Sequence, residues 1–188
     1  MDILAHALYG ATCCSRTGLA GGRRGAGLIR RSFSRDWTVW VAAGFGILPD
    51  LSSIGIYFAQ MMIRGAPPSF HGIPPYVYTL YHSTHSLISA VLLVLVLYTI
   101  ARPLARPALA WPLHIVMDSL SHGNGRWQTL MLYPLSDWHF HGVNWWQHPV
   151  VMLLYWGVLP VLWTGLHIWR RRRKPDLESV GPGRRFQA

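Results

Sequence analysis

The chain has 188 residues, of which 51% are hydrophobic and 13% are charged, against roughly 25% charged residues in a typical soluble domain. Its 17 Lys and Arg outnumber its 7 Asp and Glu, which gives a formal net charge of +10. This composition excludes a disordered chain, a coiled coil and an ordinary soluble fold, and it predicts an integral membrane protein.

In chain order, the apolar segments predict an all-α, integral membrane helical bundle with about four membrane-spanning helices plus a short N-terminal helix. The first segment, residues 3–14, would measure about 18 Å as a helix, so it should lie against the bundle or enter it partway. The predicted spans are residues 37–63, 80–101, 104–121 and 150–169. Pro107 and Pro112 predict that the third span is kinked and buried in protein. Residues 1–174 should form one domain, followed by a flexible cytoplasmic tail, residues 175–188.

The Lys and Arg residues are distributed unevenly around these segments. Residues 15–36 hold six Arg and the chain after Trp169 holds seven Lys and Arg, whereas residues 64–79 and 121–149 hold one each. Because cytoplasmic flanks of membrane helices are enriched in Lys and Arg, the basic loop and the C-terminal tail are predicted to be cytoplasmic. This placement accounts for the basic excess, so membrane lipids are expected as partners and nucleic acid is not. The oligomeric state is left open.

The second loop predicted to lie outside, residues 121–149, is rich in Trp, Tyr, Phe and His. One interpretation is an aromatic belt at the outer membrane interface. The other is an amphipathic lid that holds a lipid-like substrate over a site. The sequence leaves both interpretations open.

Several ionisable residues lie within or beside the predicted spans. His114, Asp118 and His122 are spaced i, i+4 and i+8 and therefore share one helix face. An Asp at the centre of a spanning helix costs about 2.5–3.5 kcal/mol on insertion scales, which makes such residues functional-site candidates. Three His and two Asp from different segments would form a ligand set suited to Zn²⁺, Mn²⁺ or Fe²⁺. The candidate metal ligands are His6, Asp50, His85, His114 and Asp118.

Four motifs occur in a fixed order within roughly residues 1–134. They are Met1-Asp2-x-x-x-His6-Ala7-Leu8-x-Gly10, Gly46-Ile47-Leu48-Pro49-Asp50, Thr84-His85-Ser86-Leu87 and His114-x-x-x-Asp118, the last followed by Gly123 and Pro134. This pattern resembles that of the LexA-regulated, inner-membrane metal-dependent hydrolases of bacteria. The Gly-x-Leu-Pro-Asp and His-x-x-x-Asp elements are also similar to metal-ligand segments of zinc-dependent phospholipase C, a helical soluble enzyme.

The resemblance implies a multi-pass protein of the bacterial inner membrane with the five candidate ligands at its metal site. Many members of the family carry His-Arg-Gly just before Thr-His-Ser, where this chain has Leu80-Tyr81-His82.

We therefore expect a membrane-embedded, metal-dependent hydrolase that acts on a phosphoester or a lipid-like substrate, with its site in the outer half of the bilayer. One or two ions are expected, with zinc as the first expectation and Mn or Fe as alternatives, to activate a water molecule. His82 or His122 is the predicted proton-transfer group. A metal-ion transporter and a non-catalytic metal- or haem-binding membrane protein remain as alternatives, although the apolar residues 91–98 disfavour a transporter.

Overall fold

The computed structural model describes residues 1–21 and 35–172. Within them the regular secondary structure is helical, with one isolated β-bridge and no strand. The α-helices are α1 (Ile3–Cys14), α2 (Trp37–Asp50), α3 (Ile56–Ile63), α4 (Pro75–Thr84), α5 (Leu87–Ile100), α6 (Arg102–Ala108), α7 (Ala110–Ser121) and α8 (Pro149–Arg172). Most of the Arg-rich loop, residues 22–34, and the predicted cytoplasmic tail, residues 175–188, lie outside the described residues.

Two of the described helical stretches, Trp37–Ile63 and Pro149–Trp169, are long and apolar enough to cross a membrane. A third span arises if Pro75–Thr84 and Leu87–Ile100, which are bent by 54° relative to each other, cross together. The expectation of four spans is therefore wrong for the described residues. The predicted span 104–121 is divided into α6 and α7, of 7 and 12 residues, and a crossing needs about 20. Its interruption and burial agree with the kinked helix that its prolines predict.

Helix α1 lies very close to α2, because each helix offers a glycine to the backbone of the other. A Cβ on Gly10 would lie 2.6 Å from the carbonyl oxygen of Ala42, and a Cβ on Gly46 would lie 2.5 Å from that of His6. Small residues permit such backbone contact between membrane helices. The short N-terminal helix therefore enters the bundle, and His6 is 1% exposed.

Asp2 ties the start of α1 to α8. One carboxylate oxygen caps α1 by accepting a hydrogen bond from the backbone N–H of Ala5 at 2.9 Å. The other oxygen accepts hydrogen bonds from the Tyr155 hydroxyl at 2.6 Å and the Trp156 indole at 3.1 Å. Hydrogen bonds to a charged group are stronger than neutral ones, so this carboxylate contributes strongly to holding α1 against α8. The Tyr9 hydroxyl, which donates to the Tyr155 carbonyl, and the Trp163 indole, which donates to the Thr12 hydroxyl, join the same two helices.

The first long span remains continuous at Pro49, where the sequence allowed a break. The chain passes from α2 through a π-helical turn, Leu51–Gly55, directly into α3. Proline has no N–H to donate to the carbonyl of Phe45, four residues earlier. At the π turn that follows, the Ser53 hydroxyl donates to the Pro49 carbonyl at 2.8 Å. Single π turns inside helices are frequent at functional sites, and this one begins directly after Asp50.

The second predicted span is broken between α4 and α5, at His85 and Ser86. The loop between α7 and α8 satisfies the polar groups that this break frees. The backbone N–H of Leu87 donates to the Met131 carbonyl at 2.9 Å, and the Ser86 hydroxyl donates to the Tyr133 carbonyl at 2.7 Å. The break leaves His85 fully buried between two helices.

The two loops predicted to lie outside pack against each other at one end of the bundle. Trp127 of the second loop contacts Phe70 and Tyr78, with ring centroids 6.4 and 4.8 Å apart. The second loop also returns to α7, where the N–H of Val143 donates to the Leu120 carbonyl at 3.0 Å. Both loops therefore share one side of the bundle, and the assignment of that side to the outside of the membrane stays a prediction.

Candidate metal centre

Four side chains from three separate parts of the chain converge inside the bundle. They are Asp50 at the end of α2, His85 at the break between α4 and α5, and His114 and Asp118 one turn apart on α7. One donor atom from each lies within 4.8 Å of the others. Three of the four residues are buried, and the Asp50 side chain is 22% exposed.

The distances between the donor atoms are short enough for a common ligand. Asp118 Oδ2 lies 3.1 Å from His114 Nε2 and 3.5 Å from His85 Nε2. Asp50 Oδ1 lies 3.3 Å from His85 Nε2 and 3.8 Å from His114 Nε2. Two imidazoles and two carboxylates are a donor set that Zn²⁺ and related divalent ions accept.

The hydrogen bonds of the two imidazoles support a cation at this point. His114 Nδ1–H donates to the Gly46 carbonyl at 2.7 Å, and His85 Nδ1–H donates to the Tyr81 carbonyl at 3.0 Å. These carbonyls can only accept, so we assign the proton of each neutral ring to Nδ1. With both rings neutral, the two Nε2 lone pairs then face each other at 3.1 Å, an arrangement that repels unless a metal ion or a proton lies between them. Metal-binding histidines are oriented in this way by carbonyl acceptors.

The same separation bears on the haem alternative. Axial imidazoles of a haem lie on opposite faces of the porphyrin, and a gap of 3.1 Å between His85 and His114 Nε2 leaves no space for that ring. The geometry therefore favours a small ion over a haem held by this pair.

His6 lies beside the four donors rather than among them. Its Nε2 is 2.9 Å from Asp118 Oδ1, and its ring stacks on His114 with centroids 3.7 Å apart. The Met1 nitrogen (2.7 Å) and the Ser121 hydroxyl (3.5 Å) also contact Asp118 Oδ1. These contacts leave Oδ2 for the centre. The predicted role of His6 as a ligand stays a prediction, and its geometry favours a hydrogen bond that orients Asp118.

The two predicted proton-transfer residues lie in different surroundings. His122 Nδ1 is 3.4 Å from Asp118 Oδ1, and His122 also lines a cavity beside the four donors. His82 packs instead near Tyr133, with ring centroids 5.9 Å apart, and its buried Nδ1 has no hydrogen-bond partner among the described residues. The structure brings His122 to the centre and gives His82 no contact with it.

A cavity of about 740 Å³ lies next to the centre. Asp50 and His122 line it together with aromatic and aliphatic side chains. These include Ile3, Leu51, Ile54, Phe58, Phe70, Trp127, Trp145 and Trp146. Mostly apolar walls with a few converging polar groups are typical of small-molecule sites.

Two contributors to the centre are absent from the sequence prediction. Tyr81 stacks on His85 with centroids 3.9 Å apart, and its hydroxyl donates to the Trp127 carbonyl at 3.1 Å. Gly46 provides the carbonyl that orients His114. Tyr81 lies four residues before His85, a spacing that places both on one helix face and was the available signal. No sequence signal indicated that Gly46 would meet His114.

No family model, curated protein or solved structure matches this chain. The resemblance to the LexA-regulated metal-dependent hydrolases therefore stays a prediction. The function proposed for the chain depends on the geometry of the four donors and of the cavity beside them.

Proposed function

We propose that this chain is a membrane-embedded hydrolase that uses a divalent metal ion held by Asp50, His85, His114 and Asp118. The observation that carries the proposal is the convergence of two imidazole lone pairs and two carboxylates at the edge of an apolar cavity. Nε2 of His85 and Nε2 of His114 each lie within 3.5 Å of a carboxylate oxygen. A metal ion bound to these atoms would satisfy them, and an imidazolium N–H that donates to a carboxylate is the metal-free alternative that the elemental analysis below tests.

The substrate side of the proposal follows from the cavity. Of the four donors, Asp50 also lines the cavity, so a substrate ester would reach the centre from its side. The apolar walls support a lipid-like substrate or a phosphoester with an apolar group. The resemblance of the sequence motifs to the LexA-regulated hydrolases implies a place in the bacterial inner membrane, and the His and Asp donor set makes zinc the first ion to test.

Asp50, His85, His114 and Asp118 would hold the divalent ion, which would supply Lewis-acid activation of a water molecule and of an ester carbonyl or phosphoryl oxygen. We assign to His122 the transfer of a proton from the attacking water to the leaving alcohol, because it lies in the cavity wall beside Asp118. His6 would hold Asp118 through Oδ1, so that Oδ2 stays directed at the centre.

Elemental analysis of detergent-purified protein tests the metal part of the proposal. We expect about one equivalent of a divalent metal in the wild type, as four donors suit one ion. His114→Ala and Asp118→Asn should lose it. His141→Ala and Asp137→Asn, which alter exposed residues of the same types, should retain it. A wild type that stays metal-free after incubation with Zn²⁺ or Mn²⁺ would contradict the proposal.

Hydrolysis tests the catalytic part. The metal-loaded wild type should cleave an ester of an apolar alcohol in micelles, and chelation followed by metal return should abolish and then restore the rate. His122→Gln should keep the metal and lower kcat by about a hundredfold or more. Metal binding without cleavage of any ester, combined with metal uptake into vesicles, would favour a transporter instead.

A further inference from the structure

We infer that the substrate is a lipid whose scissile ester bears at most one negative charge, that is, a carboxylic ester or a phosphodiester rather than a phosphomonoester. This inference rests on the proposed hydrolase function and goes further by assigning the charge of the reacting group. It depends on the charges that surround the cavity rather than on the metal ligands alone.

The described part of the cavity wall offers no Lys or Arg side chain, and its imidazole, His122, lies 3.4 Å from Asp118 Oδ1. Two of the described residues that line the cavity are the carboxylates Asp2 and Asp50. The Met1 nitrogen also lines the cavity, but it contacts Asp118 Oδ1 at 2.7 Å and Ser121 Oγ at 2.8 Å. Sites that bind phosphate dianions normally present Arg, Lys or the N–H groups at a helix N-terminus.

The nearby basic side chain of the second loop is directed elsewhere. The Arg126 guanidinium lies 5.7 Å from the centroid of the Tyr78 ring, and Arg126 is not part of the cavity lining. Arg64, at the C-terminus of α3, is exposed and also outside the lining. Neither residue is in place to pair with a phosphate at Asp50.

The ion cannot substitute for these missing cations. The Met1 ammonium, Asp50, Asp118 and one divalent ion would together carry a net charge of +1. A phosphomonoester dianion would therefore leave one negative charge unpaired in an apolar cavity, which is strongly disfavoured. A phosphodiester brings one charge, and a carboxylic ester brings none.

The reaction is an ordinary hydrolysis. The oxygen of water forms a bond to the acyl carbon or to phosphorus, and the bond from that atom to the ester oxygen breaks. The leaving alcohol takes one proton of the water. The acid product releases the other proton to solvent, and no further reactant is needed.

Three esters of one alcohol provide the test. The methyl phosphodiester, the acetate and the phosphomonoester of p-octylphenol share an apolar chain, a leaving group and a product, and each can be presented in neutral detergent micelles. For each ester, the hydrolysis rate with metal-loaded wild-type protein is divided by the rate with Asp118→Asn. We expect this ratio for the diester or the acetate to exceed that for the monoester by about tenfold or more.

A second experiment adds a positive charge to the cavity wall. Phe70 lines the cavity and is 63% exposed, so Phe70→Arg should place a guanidinium at the wall. Phe70→Gln loses the same ring contacts with Phe58 and Trp127 and is the matched control. Relative to Phe70→Gln, we expect the ratio of kcat/KM for the monoester to kcat/KM for the acetate to rise by about threefold or more.

The outcomes separate the two proposals. If the wild type cleaves the monoester best, the hydrolase stands and the inference about charge is overturned. If Phe70→Arg and Phe70→Gln show the same substrate preference, the inference is also overturned. If no ester is cleaved by the metal-loaded protein, the hydrolase itself is overturned.

Discussion

Gly46→Ala is the sharpest test of how α1 and α2 assemble the centre. The new Cβ would lie 2.5 Å from the His6 carbonyl oxygen, whereas real Cβ contacts are at least 3.0 Å. The two helices must therefore separate by about 0.5 Å, the difference between these distances. Overpacking of this kind costs about 1–3 kcal/mol, while Ala gains about 1 kcal/mol over Gly in a helix. Gly44→Ala on the same helix meets no heavy atom within 4 Å and keeps only that gain.

The predicted difference between the two variants is the cost of overpacking, about 1–3 kcal/mol, or roughly 3–10 °C in Tm. Gly46→Ala should be the less stable of the pair, and it should also bind metal more weakly. The weaker binding is expected because the shift moves His6 away from Asp118 and the residue 46 carbonyl away from His114. Thermal unfolding in detergent and metal titration measure both effects. Equal Tm values and equal metal affinities for the two variants would refute the close contact between α1 and α2.

Two further predictions concern capping residues. Ser86→Ala removes a buried cap of α5 and should lower the free energy of unfolding by about 1–2 kcal/mol. Ser83→Ala, one turn earlier, should change that free energy little. Equal losses of unfolding free energy in the two variants would contradict the role of Ser86. Asp36 caps α2 by accepting a hydrogen bond from the backbone N–H of Thr38 at 3.0 Å. Burial raises the pKa of Asp36, but hydrogen bonds from Thr38 and Thr17 outweigh burial and hold that pKa below its ordinary range. Asp36→Asn should therefore be less stable than the wild type at neutral pH. The contribution of a carboxylate with a lowered pKa disappears as the pH falls below about 4. The difference in Tm between the wild type and Asp36→Asn should therefore shrink below that pH. A difference in Tm that stays constant would argue against a stabilising Asp36 carboxylate.

The helical elements were predictable where hydrophobicity runs without interruption. The first helix and the span 37–63 have the predicted bounds, since an apolar run of sufficient length has few alternatives to a helix. The break between α4 and α5 was not predictable from the sequence around His85. It depends on carbonyls of Met131 and Tyr133, about 45 residues later in the chain, and no local pattern reports such a partner.

The centre was predictable in its ligand types and less so in its arrangement. The i, i+4 spacing of His114 and Asp118 placed both on one face of α7, and the structure agrees. Whether His6 would be a ligand or a neighbour depends on which oxygen of Asp118 it meets, a detail of about one ångström that spacing does not encode. Likewise, His82 and His85 are only three residues apart in sequence. His82 lies in α4 and His85 lies at the break after it, so the two rings have different neighbours.

The loop that completes the broken helix also restricts how a substrate can arrive. Residues 131 and 133 supply the carbonyls that Leu87 and Ser86 require in a buried setting. Moving this part of the loop away from α5 would leave the Leu87 N–H and the Ser86 hydroxyl without hydrogen-bond partners, at a cost of several kcal/mol for each in an apolar surrounding. The interpretation of residues 121–149 as a lid stays a prediction, and the hydrogen bonds of residues 131 and 133 hold that part of the loop against α5. A substrate that leaves both hydrogen bonds intact would enter the cavity between helices.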